Sequence, residues 1–600
     1  MKKIYLVLVL ATGLLLLNSC NDEFMDRVPE NSINDGALWK SPIDLQLYVN
    51  NFYNRSDLLP RDEGGGGSCN IGIYTIDRDN GSDTQIPRDH NTHMNGQTIV
   101  PTTSGWAASD WRALRDINYF FAQYKSAVGD AAEINKYVGE ALVFRAIFYF
   151  GKLKYFGDVP WYDGLLNSDD EILYKPRDSR KFVVEKLMED LDNAVSYLPL
   201  KGSWNGRLNK EAAMILQARI ALYEGTWEKY HAGTAFGVQG SDGSAFIKKA
   251  ADVTDALIAL NSCQLDNVGA ADGYWKLFNQ KTYASSKEIV FWRQYNYSLG
   301  LGHGWGKYSA YGALTGLSKT MVDSYLCTDG KPIDESALYQ GDGDLLTVVA
   351  DRDPRLNQTI YVNDGKHIQF SETGGNVMFN YPAFDSGDKL CVTGYQLYKG
   401  HLPTTVNNMA TNNHEAAMIY FRYGEALLIN AEAKAEQGTI TQTDLDKTIN
   451  KLRERVGMPP MVRTEVDAFT YPSGKEFPGS SNLINEIRRE RKVELAAEGF
   501  RVDDIFRWAA AGILIKGYLP KGAKLSQWQG TLSPAPTTGF VAAVAALPTD
   551  AGGYISPYAG QDPVKDSGYK FNESRDYLHP LPTEAIRINP DLKPQNPGWE

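Results

Sequence analysis

Apolar residues return every three or four positions along several stretches of this chain. Leu142, Ala146, Tyr149, Leu153 and Phe156 follow spacings of 4, 3, 4 and 3, which place them on one face of a helix. Gly157 supplies a C-terminal stop there, and Pro160 follows it. Val183, Leu187, Leu191, Ala194 and Leu198 form a second stripe, which Pro199 closes. Behind NGRLNKEAA, a third stripe runs through Ala213, Leu216, Ile220, Tyr223 and Trp227. Ile419, Tyr423, Leu427 and Ala431 predict a fourth helix inside IYFRYGEALLINAEAKAEQG.

Paired amphipathic helices with this rhythm suggest helical hairpins of the tetratricopeptide kind, although the strict repeat consensus is missing. Long insertions interrupt the pairs. A short one covers about 231–244, a much longer one 265–413, and two more 459–480 and 519–576. The longest is rich in Gly, Asn, Asp and aromatics, with strand-like pieces at EIVFWRQY (Glu288–Tyr295) and QTIYV (Gln358–Val362). The expected fold is therefore mainly α: a tetratricopeptide-like hairpin scaffold carrying a large irregular insertion lobe with short strands. Its expected divisions are a leader at 1–19, a helical region at 20–230, a loop-rich lobe at 231–412 that holds the ligand, and a helical region with tail at 413–600. Long loops on a rigid frame are where binding usually resides.

The N-terminus changes the picture most. Lys2 and Lys3 precede an apolar run, Ile4 to Leu17, that is too short to span a bilayer and reads as a secretory signal. It ends in LNSC, which resembles a bacterial lipobox with Cys20 as the lipidated residue; Asn18 departs from that pattern, where a smaller residue is usual. NDEF follows, and its acidic residues resemble the surface-export signal of Bacteroidetes lipoproteins. Stable anchoring takes more than one acyl chain. No later apolar run approaches 18 residues, so the mature chain is not expected to cross a membrane. A net charge of −12 argues against nucleic acid, whose binding needs a basic face. Cys69, Cys263, Cys327 and Cys391 form no CxxC pair, which speaks against zinc or redox chemistry and leaves disulfides or buried thiols open.

A family resemblance emerges from segments that recur in order. GEALVFRAIFYFGKLKYFGDVPWY is similar to the signature helix of the SusD/RagB family of outer-membrane nutrient-binding lipoproteins. WRALRDINYF, EKLMEDLDNAVSYLP, RLNKEAAMILQARIALYEGTW, DRDPRL, YFRYGEALLINAEAKAEQG, INEIRRERKVELAAEGFRVDDIFRW and LHPLPTEAIRINPDLKPQNPGW resemble further family segments, and with the lipobox they span nearly the whole mature chain. The resemblance implies a non-catalytic surface lipoprotein that binds a glycan and sits as a lid on a TonB-dependent, SusC-like transporter barrel. A binder of peptide or another non-sugar nutrient on the same architecture is the alternative, with a surface glycosidase behind it.

Several motifs lead nowhere. GLGHGWGKY (Gly300–Tyr308) fails as a phosphate loop, because Leu301 stands where glycine is needed and Tyr308 where a hydroxyl amino acid is needed. DRDNGSD (Asp77–Asp83) resembles a calcium loop, but its glycine comes one place early and no Glu closes a 12-residue loop. No cofactor and no metal are assigned, with a structural calcium there as the alternative. RRERK (Arg488–Lys492) interleaves with Glu486, Glu490, Glu494 and Glu498 and predicts a salt-bridged helix face rather than a polyanion patch. A pyranose offers an apolar C–H face to Trp or Tyr and a hydroxyl rim to Asp, Asn or Arg. The expected ligand contacts are accordingly loop aromatics, Trp106, Trp305 and Tyr308, with Asp83 and Arg88 as polar candidates.

Overall fold

The computed structural model describes residues 39–59, 79–202, 206–266, 269–372, 374–387, 390–404, 414–468, 480–530 and 532–599. The leader, Cys20, Cys69, Asp77 and Arg78 lie outside the described residues. The fold is mainly helical, as the periodicity predicts. The scaffold helices are α1 (Pro42–Tyr53), α2 (Ala108–Gln123), α3 (Ala131–Phe156), α4 (Arg180–Tyr197), α5 (Lys210–Tyr230) and α6 (Ser244–Leu260). After the long insertion, which contains α7 (Pro354–Thr359), come α8 (Tyr423–Glu436), α9 (Ile449–Arg455), α10 (Asn482–Glu494) and α11 (Arg501–Arg507). The C-terminal part adds α12 (Thr538–Ala546) and α13 (Thr583–Ile588).

Local chemistry sets the helix ends. The Asp130 carboxylate accepts the Ala132 N–H at 2.7 Å at the start of α3, and Gly157, at φ 73°, ends that helix where a side chain would be strained. Asn209 caps α5 by accepting the Ala212 N–H at 2.9 Å, and its amide also donates to the Val290 carbonyl at 3.0 Å. The predicted stripes are buried: Ala146, Tyr149, Leu153, Val183, Leu187, Leu191, Ala213, Ile220 and Trp227 are all fully shielded from solvent. Helices α3, α4, α5 and α6 pack side by side in chain order, and α6 packs on α8 in turn.

Two expectations need correction. Ile419 is not helical; it lies in a strand, Met418–Arg422, and the helix begins only at Tyr423. Gln358 and Thr359 of QTIYV end α7 instead of extending a strand. Within the region 231–412, Ser244–Leu260 forms α6, a full scaffold helix. Gly243 precedes that helix at φ +75°, and a Cβ there would stand 1.9 Å from the Gly225 carbonyl oxygen, so α5 and α6 approach as closely as glycine permits.

Strands are short and paired in twos. β1 (Gln85–Pro87) pairs antiparallel with β3 (Thr315–Leu317), and β4 (Ile368–Glu372) with β5 (Gly375–Met378). β2 (Ile289–Arg293), the expected strand in EIVFWRQY, pairs antiparallel with β6 (Met418–Arg422). A main core runs through the scaffold helices. A second core joins Leu317, Tyr325, Leu356 and Tyr395 of the long insertion to Trp528, Phe540 and Ile555 of the C-terminal insertion, so two excursions distant in sequence build one lobe.

The charged face of α10 is salt-bridged, as predicted, yet it is buried. Glu490 and Glu494 receive Arg355 from α7 at 2.7 and 3.0 Å. Glu494 also receives Arg422 at 2.8 Å and Arg455 at 2.6 Å, and Glu498 receives Arg422 at 2.7 Å and Lys399 at 2.6 Å. Scaffold and insertion lobe are thus locked by charges that water does not reach. Cys263, Cys327 and Cys391 are buried free thiols.

Candidate functional site

The expected ligand contacts that the structure describes differ in their surroundings. Asp83 is only 1% exposed, and both its oxygens are taken by Arg501, at 2.7 and 2.8 Å. Burial alone would push its carboxyl up, but the Arg501 guanidinium overrides this and holds it below the usual range. Its position corrects the expectation of a ligand contact: Asp83 is a structural ion pair between the N-terminal segment and α11. Asp79, from the calcium-like stretch, is also buried and accepts the Arg501 backbone N–H at 2.9 Å. Among the described residues, no group of three or more His, Cys, Asp or Glu is arranged to hold a metal ion.

Arg88 lies on the surface, with its side chain 51% exposed and paired to Asp89 at 2.7 Å. Trp305 opens a one-turn helix, Trp305–Ser309, in the insertion lobe; its side chain lies outside what the structure describes. Tyr308, in the same turn, is half-buried against the main core.

Trp106 lines a groove of about 420 Å³. Three segments distant in sequence build it. The first is the turn before α2. Its Gly105 sits at φ +83°, with its missing Cβ 2.8 Å from the Phe156 ring, and its carbonyl accepts the Lys152 ammonium at 2.7 Å. The Trp106 indole is then held edge-to-face by Trp111 and Phe156, at 5.2 and 5.0 Å between centroids. The second segment follows α3 and supplies Tyr162 and Tyr174. The Tyr162 hydroxyl donates to the Leu173 carbonyl at 2.8 Å, and burial pushes this phenol up to about 12, which keeps it a neutral donor. Tyr174 is 45% exposed.

The third segment is the C-terminal tail. Thr583 and Glu584 donate their backbone N–H groups to the Pro101 and Thr102 carbonyls, both at 3.0 Å, which docks α13 against the first segment. The Asn589 amide donates to the Lys175 carbonyl at 3.1 Å and so ties the tail to the second segment. Of the described residues lining the groove, only Glu584 is a carboxylate, and it is ion-paired with Arg587. Aromatic walls, carboxamide and hydroxyl groups at the rim and little net charge suit an uncharged, hydroxylated ligand. Two carboxylates facing each other across a bond, as hydrolysis of a glycoside requires, are not found along it.

Sequence reasoning missed Tyr162, Tyr174 and the tail residues. Tyr162 falls at the end of the signature helix segment, and Glu584 and Asn589 fall inside LHPLPTEAIRINPDLKPQNPGW, which reads as a family segment rather than as a groove wall.

A helical hairpin frame with an insertion lobe defines the class, and comparison with known proteins makes it specific. The SusD family matches residues 276–599, more than half of the chain, and the chain belongs to that family. SusD-like protein P38 of Formosa agariphila is 22% identical over 525 residues, covering 84% of this chain and 91% of the relative. A SusD-like protein of Bacteroides ovatus is 27% identical over 233 residues, 37% of this chain and 40% of the relative. Among solved structures, a SusD-like carbohydrate-binding protein of Bacteroides fragilis superposes with a TM-score of 0.68 at 21% identity, covering 92% of this chain and 99% of the other. Surface glycan-binding protein A of Bacteroides fluxus does so at 0.55 and 17%, covering 93% and 100%. No helix among the described residues is long and apolar enough to cross a membrane.

Proposed function

We propose that this protein is a cell-surface lipoprotein that captures a glycan and delivers it, unaltered, to a SusC-like TonB-dependent transporter in the outer membrane. Cys20 carries the lipid anchor, and the lid-like scaffold closes over the barrel. The observation that carries the binding part of this reading is the groove in which Trp106, Tyr162 and Tyr174 face a tail segment with a single, neutralised carboxylate. Family membership and the structural likeness to a carbohydrate-binding and a glycan-binding protein support it.

The test is affinity electrophoresis and calorimetry against plant, host and microbial polysaccharides, with Trp106→Ala and Tyr174→Ala beside the parent. Loss of one aromatic contact of about 0.5–1.5 kcal/mol weakens binding by roughly 2- to 12-fold. Tyr174 is exposed, so its removal leaves the thermal midpoint unchanged and separates contact from packing. A glycan held equally well by both variants refutes the groove as the site. Retention of a peptide panel with no glycan bound turns the reading towards another nutrient.

A further inference from the structure

A second groove, of about 550 Å³, lies far along the chain from the first in every segment that lines it. Its walls come from the C-terminal end of α1, the residues before α5, and the β2–β6 ribbon. The floor is apolar, with Phe291, Trp292 and Tyr420 all buried. The rim is different in kind. It carries the carboxamides of Asn50, Asn54 and Gln294 and two guanidinium groups, Arg207 and Arg293, and no Asp or Glu is among the described residues that line it. In a chain with 73 acidic and 61 basic residues, a groove whose described lining carries cations and no carboxylate runs against the overall sign.

The two arginines are not equivalent. Arg207 is committed: Glu140 receives it bidentately at 2.8 and 2.6 Å, and Asn50 accepts a further bond at 2.6 Å. Glu140 is fully buried behind it, so that pair is neutral and rigid. Arg293 is half-buried and has one hydrogen bond, from Nη1 to the Tyr53 carbonyl at 3.1 Å, and no carboxylate partner among the described residues. That bond fixes the fork in the groove wall while leaving its charge uncompensated. A fork of this shape matches the paired oxygens of a carboxylate or a sulfate ester, and it does so bidentately where a lysine could not. Asn54 and Gln294 are exposed and make no side-chain hydrogen bond among those the structure shows, which leaves donors and acceptors for hydroxyl groups beside the anion.

We infer that this groove is a binding site for an acidic saccharide, a sugar bearing a carboxylate or a sulfate ester, with Arg293 taking the anionic group and Asn54 and Gln294 the neighbouring hydroxyls. The inference rests on the reading that the protein takes saccharides, but it concerns a site separate from the Trp106 groove. The volume accommodates a unit or two of such a chain, since pockets for small ligands start at about 300 Å³.

Calorimetry with trigalacturonate, a sulfated galactan oligosaccharide and neutral maltotriose tests it on the full mature chain. At least one of the two acidic probes is expected to bind the parent, weakening as salt rises, and to lose tenfold or more in affinity in Arg293→Met. Which acidic probe binds tells carboxylate from sulfate. Arg293 also holds the Tyr53 carbonyl, so Gln294→Glu is the second variant: it places a negative charge on an exposed rim residue, leaves the fold intact, and is expected to weaken the same probe by a similar factor. Trp106→Ala is expected to leave acidic-probe affinity unchanged, which keeps failure of the first groove distinct from failure of this one. Acidic probes that bind neither variant nor parent, or that bind all three alike, overturn the assignment.

Discussion

Glu494 offers the sharpest test of what holds the insertion lobe on the scaffold. One of its oxygens accepts Arg422 at 2.8 Å and Arg455 at 2.6 Å, and the other accepts Arg355 at 3.0 Å. These three arginines come from β6, α9 and α7, so one carboxylate on α10 joins four elements. Glu494 is fully buried, and burial alone would push its carboxyl up; the three guanidinium groups reverse this and hold it far below the usual carboxylate range. Glu494→Gln removes the charge while keeping the shape. The amide oxygen can still accept, but its NH₂ faces a guanidinium and leaves at least one buried cation uncompensated. Breaking a buried ion pair by removing one partner costs about 3–5 kcal/mol.

With an unfolding entropy of roughly 2.1 cal/mol/K per residue, a unit of about 550 residues changes by roughly 1.2 kcal/mol per degree, so the midpoint falls by about 3–4 °C if the chain unfolds as one. If the lobe separates first, the responding unit is smaller and the shift in that transition is larger. Differential scanning calorimetry at pH 7 reads either case.

The pH dependence has a fixed sign. A carboxyl whose folded value is depressed contributes stability above its unfolded value of about 4.5, and that contribution disappears as pH falls through the folded value. The gap between parent and variant is therefore expected to stay constant from pH 7 to about 5 and to narrow only below about 4. A midpoint within about half a degree of the parent at pH 7, or a gap already closing between pH 6 and 5, refutes the account of this network.

Two further predictions concern buried charge. Asp83→Asn is expected to cost about 3–5 kcal/mol in urea denaturation, because it strands Arg501, whereas Arg88→Ala at the surface stays within about 0.5 kcal/mol; equal effects would put Asp83 at the surface and restore it as a ligand candidate. His231, His401 and His414 are pushed down to about 3 and His303 to about 4 by burial, so the folded protein holds them neutral while the unfolded chain protonates them near pH 6.5. Stability is then expected to fall as pH drops below about 6.5, at up to roughly 1.4 kcal/mol per pH unit for each histidine, offset in part by Asp79, which burial pushes up to about 6; a denaturation midpoint that stays flat from pH 7 to 5 would refute the buried neutral state.

The scaffold was legible because its signal is local. A 3.6-residue period, a capping residue and a following Gly or Pro are all within one stretch, and α3, α4 and α5 appear where their stripes place them. The fourth helix was misjudged at its start because a strand buried on both faces, Met418–Arg422, is as continuously apolar as a buried helix turn. Periodicity cannot separate the two. RRERK was legible as salt-bridged, since its partners interleave at helical spacing, but its burial was not, because the cations that complete it, Arg355, Arg422 and Arg455, come from elements that only the fold brings near.

The same reasoning explains the site. Trp106 could be picked out as a loop aromatic before a helix, yet nothing near it in sequence separates it from Tyr308, and both are half-buried against the main core. What makes Trp106 part of a groove is the tail at 583–592, more than 470 residues later, docked on it by two backbone hydrogen bonds. Asp83 failed as a candidate for the converse reason: its partner, Arg501, is 418 residues away and consumes both its oxygens. Where many charges find an opposite charge across the fold, a cation that does not is informative if it lines a groove, and that property exists only in three dimensions. Arg293, with one backbone carbonyl and no carboxylate partner among the described residues, has it; Arg352 is also held by backbone carbonyls alone, but it is not among the residues that line this groove, and Arg501, Arg422 and Arg207 are each paired with a carboxylate.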